Sequence, residues 1–198
     1  TTSSLVHHLL SRRCPDALLG GNIGGSLLET AERATPETPV VLELSSAMLH
    51  WFSPRWGEPW APAVGALTNL LTNHLDWHGD FRHNSESKRQ IRFAADRGTG
   101  DFLTRFHVES PAAAREAAEL AGDWWSSPPA STGEPLPFDP ASIPIQLPGE
   151  HNRRNATLAL LIAERALRRL RAATDWSGMV ADVAGFGGLA HRLQLVCE

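Results

Sequence analysis

The run Pro39-Val40-Val41-Leu42-Glu43-Leu44-Ser45-Ser46 constrains the fold more than any other stretch. Its apolar residues follow one another instead of alternating with polar ones, which suits a parallel strand covered on both faces. A second run, Ala63-Val64-Gly65-Ala66-Leu67, reads as another buried strand, and helical patterns separate such runs along the chain. Strands alternating with helices predict an α/β fold, a mostly parallel sheet flanked by helices. Ligands of open α/β sheets collect where strands end, and Glu43 stands at one such end. A carboxylate there is costly unless paired or metal-bound, so Glu43 is a metal-ligand or catalytic candidate, with burial against an arginine as an equal alternative.

Around these strands the chain reads in order. Leu5 to Leu10 is a helix opened by hydroxyl residues, Cys14 to Leu19 a short strand, and Gly20-Gly21-Asn22-Ile23-Gly24-Gly25 a glycine turn opening a helix at Ser26. The turn lacks the G-x-G-x-x-G order, so alone it is a helix-start turn before it is a nucleotide site. His50 to Pro62 holds three of the seven tryptophans, Trp51, Trp56 and Trp60, among prolines, and reads as an irregular loop packed on the domain. A helix is expected from Ser85 to Ala95, a strand from Asp101 to Phe106, a helix from Pro111 to Leu120, and a surface excursion from Trp124 to Pro140. Ile143 to Leu147 reads as a strand. A long helix runs from about His151 to Ala173, with Ala156, Leu160, Ala163, Leu167 and Leu170 on one buried face. Arg165, Arg168, Arg169 and Arg171 complement its C-terminal dipole, and Asn152 and Asn155 at the other end suit a cap or a ligand. Phe186 to Arg192 is a glycine turn before a closing strand, Leu193 to Cys197. Both ends read as cut, as in an interior domain of a longer protein.

Lys88 is singular: the chain has seventeen arginines and this one lysine, fourteen residues after His74 in Asn-His-Leu-Asp-Trp-His-Gly. Arginine stays protonated, whereas a lysine amine can lose its proton and react, so chemistry needing a modifiable amine excludes the usual substitution. A solvated helix charge is the plainer alternative.

Composition narrows the partners. A net charge of -4 gives no basic footprint for nucleic acid. No apolar run is long enough to enter a membrane, and no signal peptide is visible. The two cysteines, Cys14 and Cys197, make neither a disulfide framework nor a metal-ligand spacing, so a reducing, cytoplasmic setting is the default.

Asn22, Glu43, His74 with Lys88, and Asn152 with Arg192 thus place polar groups near loops or helix starts. A carboxylate, an imidazole and further polar groups suit a hard ion such as Mg²⁺, which bridges to phosphate oxygens. Gly-Gly-Asn-Ile-Gly at 20 to 24, Leu-Glu-Leu-Ser-Ser at 42 to 46, Asn-His-Leu-Asp-Trp-His-Gly at 73 to 79 with Lys88, Gly-Glu-His-Asn-Arg-Arg-Asn-Ala at 149 to 156 and Gly-Leu-Ala-His-Arg at 188 to 192 resemble, in order and spacing, the central ATPase domain of the Mur ligases. Their wording is nearest the D-glutamate-adding branch, and the likeness covers nearly the whole chain. A related ligase, such as a folylpolyglutamate-synthase-like one, and a non-catalytic scaffold module with a degenerate nucleotide site are the alternatives.

The resemblance implies a P-loop NTPase-like domain and an ATP-dependent amide ligation in peptidoglycan synthesis. The carboxylate of UDP-N-acetylmuramoyl-L-alanine would take the γ-phosphate of ATP as an acyl phosphate, which the amine of D-glutamate displaces. It implies Glu43, His74 and Lys88 as Mg²⁺ ligands, Lys88 as a carbamate, and His74 and Lys88 as catalytic. Asn22 would face the muramoyl substrate, Asn152 and Asn155 the adenine, and Arg192 the phosphates or the domain hinge. The chain also departs from the pattern: Asn73 stands where an acid is usual and Ala190 where a proline is usual. The family's Gly-Lys-[Ser/Thr] loop would end just before residue 1, so the P-loop is expected to be missing. The N-terminal uridine-nucleotide domain and the C-terminal domain are expected outside the chain too, with contacts to both. The chain alone is expected to be inactive or nearly so.

Overall fold

The computed structural model describes residues 1–23, 25–53, 60–71, 73–104 and 136–188. Two compact units emerge, Thr1–Glu43 with Pro135–Glu198, and Leu44–Glu134.

The first unit is built on two helices. In α1 (Thr2–Ser11), Leu5, Val6, Leu9 and Leu10 are buried, the i, i+3, i+4 spacing of one helical face. They meet α7 (Glu150–Arg169), whose Ala156, Ala159, Leu160, Ala163 and Leu167 are wholly buried. The three alanines let the backbones approach closely, and the leucines fill the space beside them. Met179 and Val183 complete the cluster from α8 (Trp176–Asp182) and the turn after it. Asp175 caps α8 by accepting hydrogen bonds from the backbone N–H groups of Ser177 and Gly178, both at 3.1 Å. Asp182 ties α8 to the end of α1 through Arg13, at 2.8 Å.

Against this pair lies a parallel ladder of β1 (Leu18–Gly21) and β2 (Val40–Glu43), in the register Leu18↔Val40 to Gly21↔Glu43. The expected strand from Cys14 starts late, because Cys14 to Ala17 is still a turn closed by the Ala17 N–H on the Cys14 carbonyl at 2.9 Å. The helix expected at Ser26 begins at Leu28 as the short α2 (Leu28–Ala31), the Ser26 hydroxyl accepting from the Leu28 N–H at 3.2 Å. The expectation that β2 is covered on both faces does not hold among the described residues: Val40 is 45% exposed and no residue of the strand is fully buried. Its ladder has a single partner strand, and only Val41 reaches the helical core.

Two further readings of this unit are corrected. Ile143 to Leu147 forms no strand; Pro144 lacks an N–H for a ladder, and the chain folds on itself with the Ile145 N–H on the Ile143 carbonyl at 2.9 Å. Ile143 is buried all the same. The long helix stops at Arg169, short of Ala173, because Arg171 turns left-handed (φ 56°) and the Ala172 N–H closes on the Leu167 carbonyl at 2.9 Å. That bond pattern is the Schellman closure, here with arginine at the position glycine usually takes.

The second unit holds α3 (Ser46–Trp51), β3 (Val64–Leu67), α4 (Leu75–His78), α5 (Phe81–Arg89), a 3₁₀ turn Gln90–Arg92, α6 (Phe93–Asp96) and β4 (Asp101–Thr104). β3 and β4 pair in parallel, Val64↔Asp101 to Leu67↔Thr104, and bury Leu67 and Phe102 with Leu70 and Phe81. The expected strand at Ala63–Leu67 and the helix over Ser85–Ala95 are both present, the latter beginning earlier, at Phe81. His50 and Trp51, expected in an irregular loop, are helical: Ser45 caps α3 by accepting from the Met48 N–H at 3.2 Å, so the helix reaches Trp51. Residues 54–59, the helix expected over Pro111–Leu120, most of the Trp124–Pro140 excursion and the strand at 193–197 lie outside the described residues. Among the described residues no helix is long and apolar enough to cross a membrane.

Gly65 shows why β3 has its sequence. A Cβ on Gly65 would fall on the backbone carbonyl of Ile91, which cannot rotate away as a side chain can. Gly65→Ala is expected to lower the stability of the protein by about 1–3 kcal/mol, the usual cost of overpacking, read as a reduced urea midpoint with an unchanged slope.

Candidate functional site

The segment from Asn73 to Lys88 is a turn, a single helical turn and a helix. His74 starts α4 with a left-handed backbone (φ 56°, ψ 33°), a conformation rare for a residue with a Cβ. Its carbonyl accepts the His78 N–H at 3.0 Å, and its side chain is exposed. Gly79 (φ 79°) reverses the chain, and Asp80 caps α5 by accepting from the His83 N–H at 2.7 Å. Asn84 is fully buried and donates its amide to the Asn73 carbonyl at 2.9 Å, pinning the residue before His74 to the helix that carries Lys88.

Lys88 is half-buried on α5, and burial lowers its pKa. Among the described residues no carboxylate forms an ion pair with it. Desolvation penalises the charged amine, and no partner offsets the penalty. The chain's lone lysine is therefore held where the neutral, reactive form is favoured.

Beside it runs a chain of hydrogen bonds that sequence reasoning did not find. His78 Nε2 lies 2.8 Å from Ser46 Oγ, His78 Nδ1 lies 2.9 Å from His83 Nδ1, and His83 Nε2 lies 3.1 Å from His50 Nδ1. Ser46 and His78 are buried, His83 and His50 half-buried. The rings pack edge to face, His78 on His83 at 4.9 Å and His50 on His83 at 4.8 Å, and Trp77 stacks on His83 at 5.8 Å. Burial lowers the pKa of His78 first, and the positive charges of His83, Lys88, His50 and His74 lower it further. A signal did exist: Ser46 and His50 stand four residues apart on one helix, hence on one face. Which of its neighbours that face meets is set by long-range packing.

The other expected site residues lie in the first unit. The ladder brings Asn22 to Glu43, whose carbonyl accepts the Asn22 N–H at 2.7 Å. Gly21 (φ 91°) makes this possible, since a Cβ there would fall on the same carbonyl. Asn22 is exposed and Glu43 half-buried. Asn152 is not the helix cap: Gly149 precedes the helix, and the buried Asn152 amide donates to the Pro148 carbonyl at 2.8 Å, bracing the first turn. Asn155 is half-buried one turn on. Arg192 lies outside the described residues. Among the described residues no three His, Cys, Asp or Glu side chains are grouped to hold a metal ion. The donors proposed from sequence form a fuller set only if Lys88 gains a carboxylate, which its neutral amine can accept from CO₂.

No family model matches the chain. Curated proteins do. The chain is 30% identical, over its whole length, to 44% of the UDP-N-acetylmuramoylalanine–D-glutamate ligase of Pelotomaculum thermopropionicum. It is likewise 30% identical to 43% of the ligase of the same name from Streptococcus suis. Over 99% of its length it is 32% identical to 41% of the UDP-N-acetylmuramoyl-L-alanine–L-glutamate ligase of Xanthomonas euvesicatoria. The chain spans less than half the length of these relatives. From end to end it is homologous to a segment of the muramoyl-alanine–glutamate ligases of the Mur ligase family.

Proposed function

We propose that this chain serves as the central, nucleotide-handling segment of an ATP-dependent ligase that joins glutamate to UDP-N-acetylmuramoyl-L-alanine. The observation that carries the reading is the identity to such ligases along the whole chain. In this reaction the muramoyl-alanine carboxylate attacks the γ-phosphorus of ATP, an O–P bond forms and ADP leaves. The glutamate amine then attacks the acyl carbon, a C–N bond forms, the C–O bond to phosphate breaks, and the former ammonium has given up its protons. Positioning and charge neutralisation supply most of the rate in such transfers.

Each residue's proposed part follows from its chemistry. The lowered pKa of Lys88 supports a reactive neutral amine, which adds CO₂ as a carbamate and turns a cationic side chain into an oxygen donor. Glu43 and His74 are the further proposed ligands to Mg²⁺, each from its own unit. Bound Mg²⁺ would neutralise phosphate charge. Asn22 is assigned to the muramoyl substrate. Asn152 and Asn155 are assigned to the adenine, and Arg192 to the phosphates. The braced Asn152 amide supports a fixed acceptor there.

The test is ADP release from the longest reading frame containing this chain, given ATP, Mg²⁺, UDP-N-acetylmuramoyl-L-alanine and either enantiomer of glutamate. Substrate-dependent ADP release with D-glutamate is expected, and none from the chain alone. Preference for L-glutamate would move the reading to the branch of the Xanthomonas euvesicatoria relative. Absence of substrate-dependent release from the long polypeptide would overturn the ligase assignment.

A further inference from the structure

The hydrogen-bond chain in the second unit has the form of a wire. It joins a hydroxyl and three imidazoles without a branch, its inner end buried and its outer end half-exposed. Every internal atom is both a donor and an acceptor in turn. A neutral imidazole has one N–H and one lone-pair nitrogen, so fixing one ring fixes the others.

Two orders satisfy all three contacts. In the first, Ser46 O–H donates to His78 Nε2, His78 Nδ1–H to His83 Nδ1, and His83 Nε2–H to His50 Nδ1, leaving His50 Nε2–H outward. In the second, every hydrogen bond is reversed. Passing from first to second, Ser46 gives its proton to His78 Nε2 and takes a replacement on Oγ. The Nδ1 proton of His78 moves to His83, the Nε2 proton of His83 moves to His50, and the Nε2 proton of His50 leaves. One proton enters at Ser46, one leaves at His50, and no net charge rests on a buried ring.

We propose that Ser46, His78, His83 and His50 form a proton relay that carries away the proton released when the glutamate amine forms the amide. The proposal rests on the ligase reading and adds to it a route and an exit. His83 and His50 are positioning residues in it: they set the tautomer of His78 and pass protons through it. The neighbourhood favours neutral rings. His50 on α3, His74 at the start of α4, and His83 and Lys88 on α5 all oppose charge on His78, as does its burial. Asp80 spends its carboxylate on the α5 cap, and Asp76 lies on α4. Trp77 against His83 holds the middle ring in plane for both partners.

His83→Gln separates a relay from mere packing. A glutamine amide can accept from His78 and donate to His50, but it cannot pass a proton on. In nitrogen-15 spectra of this chain near neutral pH, the relay predicts neutral rings whose tautomer populations change together as pH or temperature is varied. In His83→Gln, His78 and His50 are each expected to collapse to one tautomer, with the melting temperature within a few degrees of the parent. Independent titration of the three rings, a charged His78 at neutral pH, or unchanged His78 and His50 signals in the variant would overturn the relay. In the long polypeptide, His83→Gln is expected to lower kcat at least about tenfold while the KM for ATP stays within about twofold, since proton transfer by a positioned group contributes roughly a hundredfold or more. An unchanged kcat overturns the catalytic role. If the parent polypeptide shows no ligation at all, the ligase reading fails by itself, and the spectra still decide whether the relay exists.

Discussion

Lys88→Met is expected to abolish ligation and, at the same time, to make the protein more stable. The loss of turnover should be at least about a hundredfold, the usual consequence of removing one preorganised charged group from a phosphoryl- or acyl-transfer site. Methionine keeps the aliphatic stem but can neither carry a carbamate nor offer an oxygen. The stability gain follows from burial. Because burial lowers the pKa of Lys88 in the folded state, the folded protein binds its proton less tightly than the unfolded chain does. Below the folded pKa the full penalty applies; as pH rises from that value through the unfolded one the unfolded chain holds more protons, and stability increases until the penalty is gone. Lys88→Met removes the penalty altogether, so the variant's advantage in urea midpoint should be greatest at neutral pH and fade at alkaline pH. A carbamate makes the same point spectroscopically. Addition of ¹³C-bicarbonate to the parent protein should give a carbamate carbon signal that grows with pH, as the neutral amine does, and is missing in Lys88→Met. A variant that ligates normally, or one less stable than the parent at neutral pH, would sink this account.

Much of this was written in the sequence, because some patterns have local causes. The stripe Ala156, Leu160, Ala163, Leu167 in α7 is buried as its four- and three-residue steps demand, since helical periodicity needs no knowledge of the partner. The parallel pairing of β1 with β2 and of β3 with β4 follows from apolar runs separated by helices. Lys88 stood out by composition alone. What could not be read depends on packing between distant residues. Pro144 defeats a strand that Ile143, Ile145 and Leu147 would otherwise favour, and Ile143 is buried without a ladder. The tryptophan-rich stretch looked irregular from its prolines, yet the Ser45 cap gives His50 a helical place facing His83 on α5. Nothing in the spacing of His50, His78 and His83 announces that their nitrogens meet. Nor does composition show that His74 takes a left-handed backbone, a strain of the kind that gathers at functional sites.

Leu160→Ala is expected to have the largest effect on folding. Leu160 is wholly buried in the cluster where α1 meets α7, with Leu5, Leu9 and Ala156 in the same cluster. The neighbours cannot easily collapse into the space, because α7 is already drawn close to α1 by its alanines and both helices are held along their length. Truncation therefore costs the lost transfer of the side chain and most of the cavity left behind, about 3–5 kcal/mol. That is a large share of the roughly 5–15 kcal/mol by which a domain of this size is usually stable. Leu160→Met, which conserves volume, should cost less than about 1.5 kcal/mol. Trp176 packs against the same cluster, so its fluorescence in a urea titration reports the loss directly. Equal midpoints for the alanine and methionine variants would mean that the contact between α1 and α7 is not what holds this unit together.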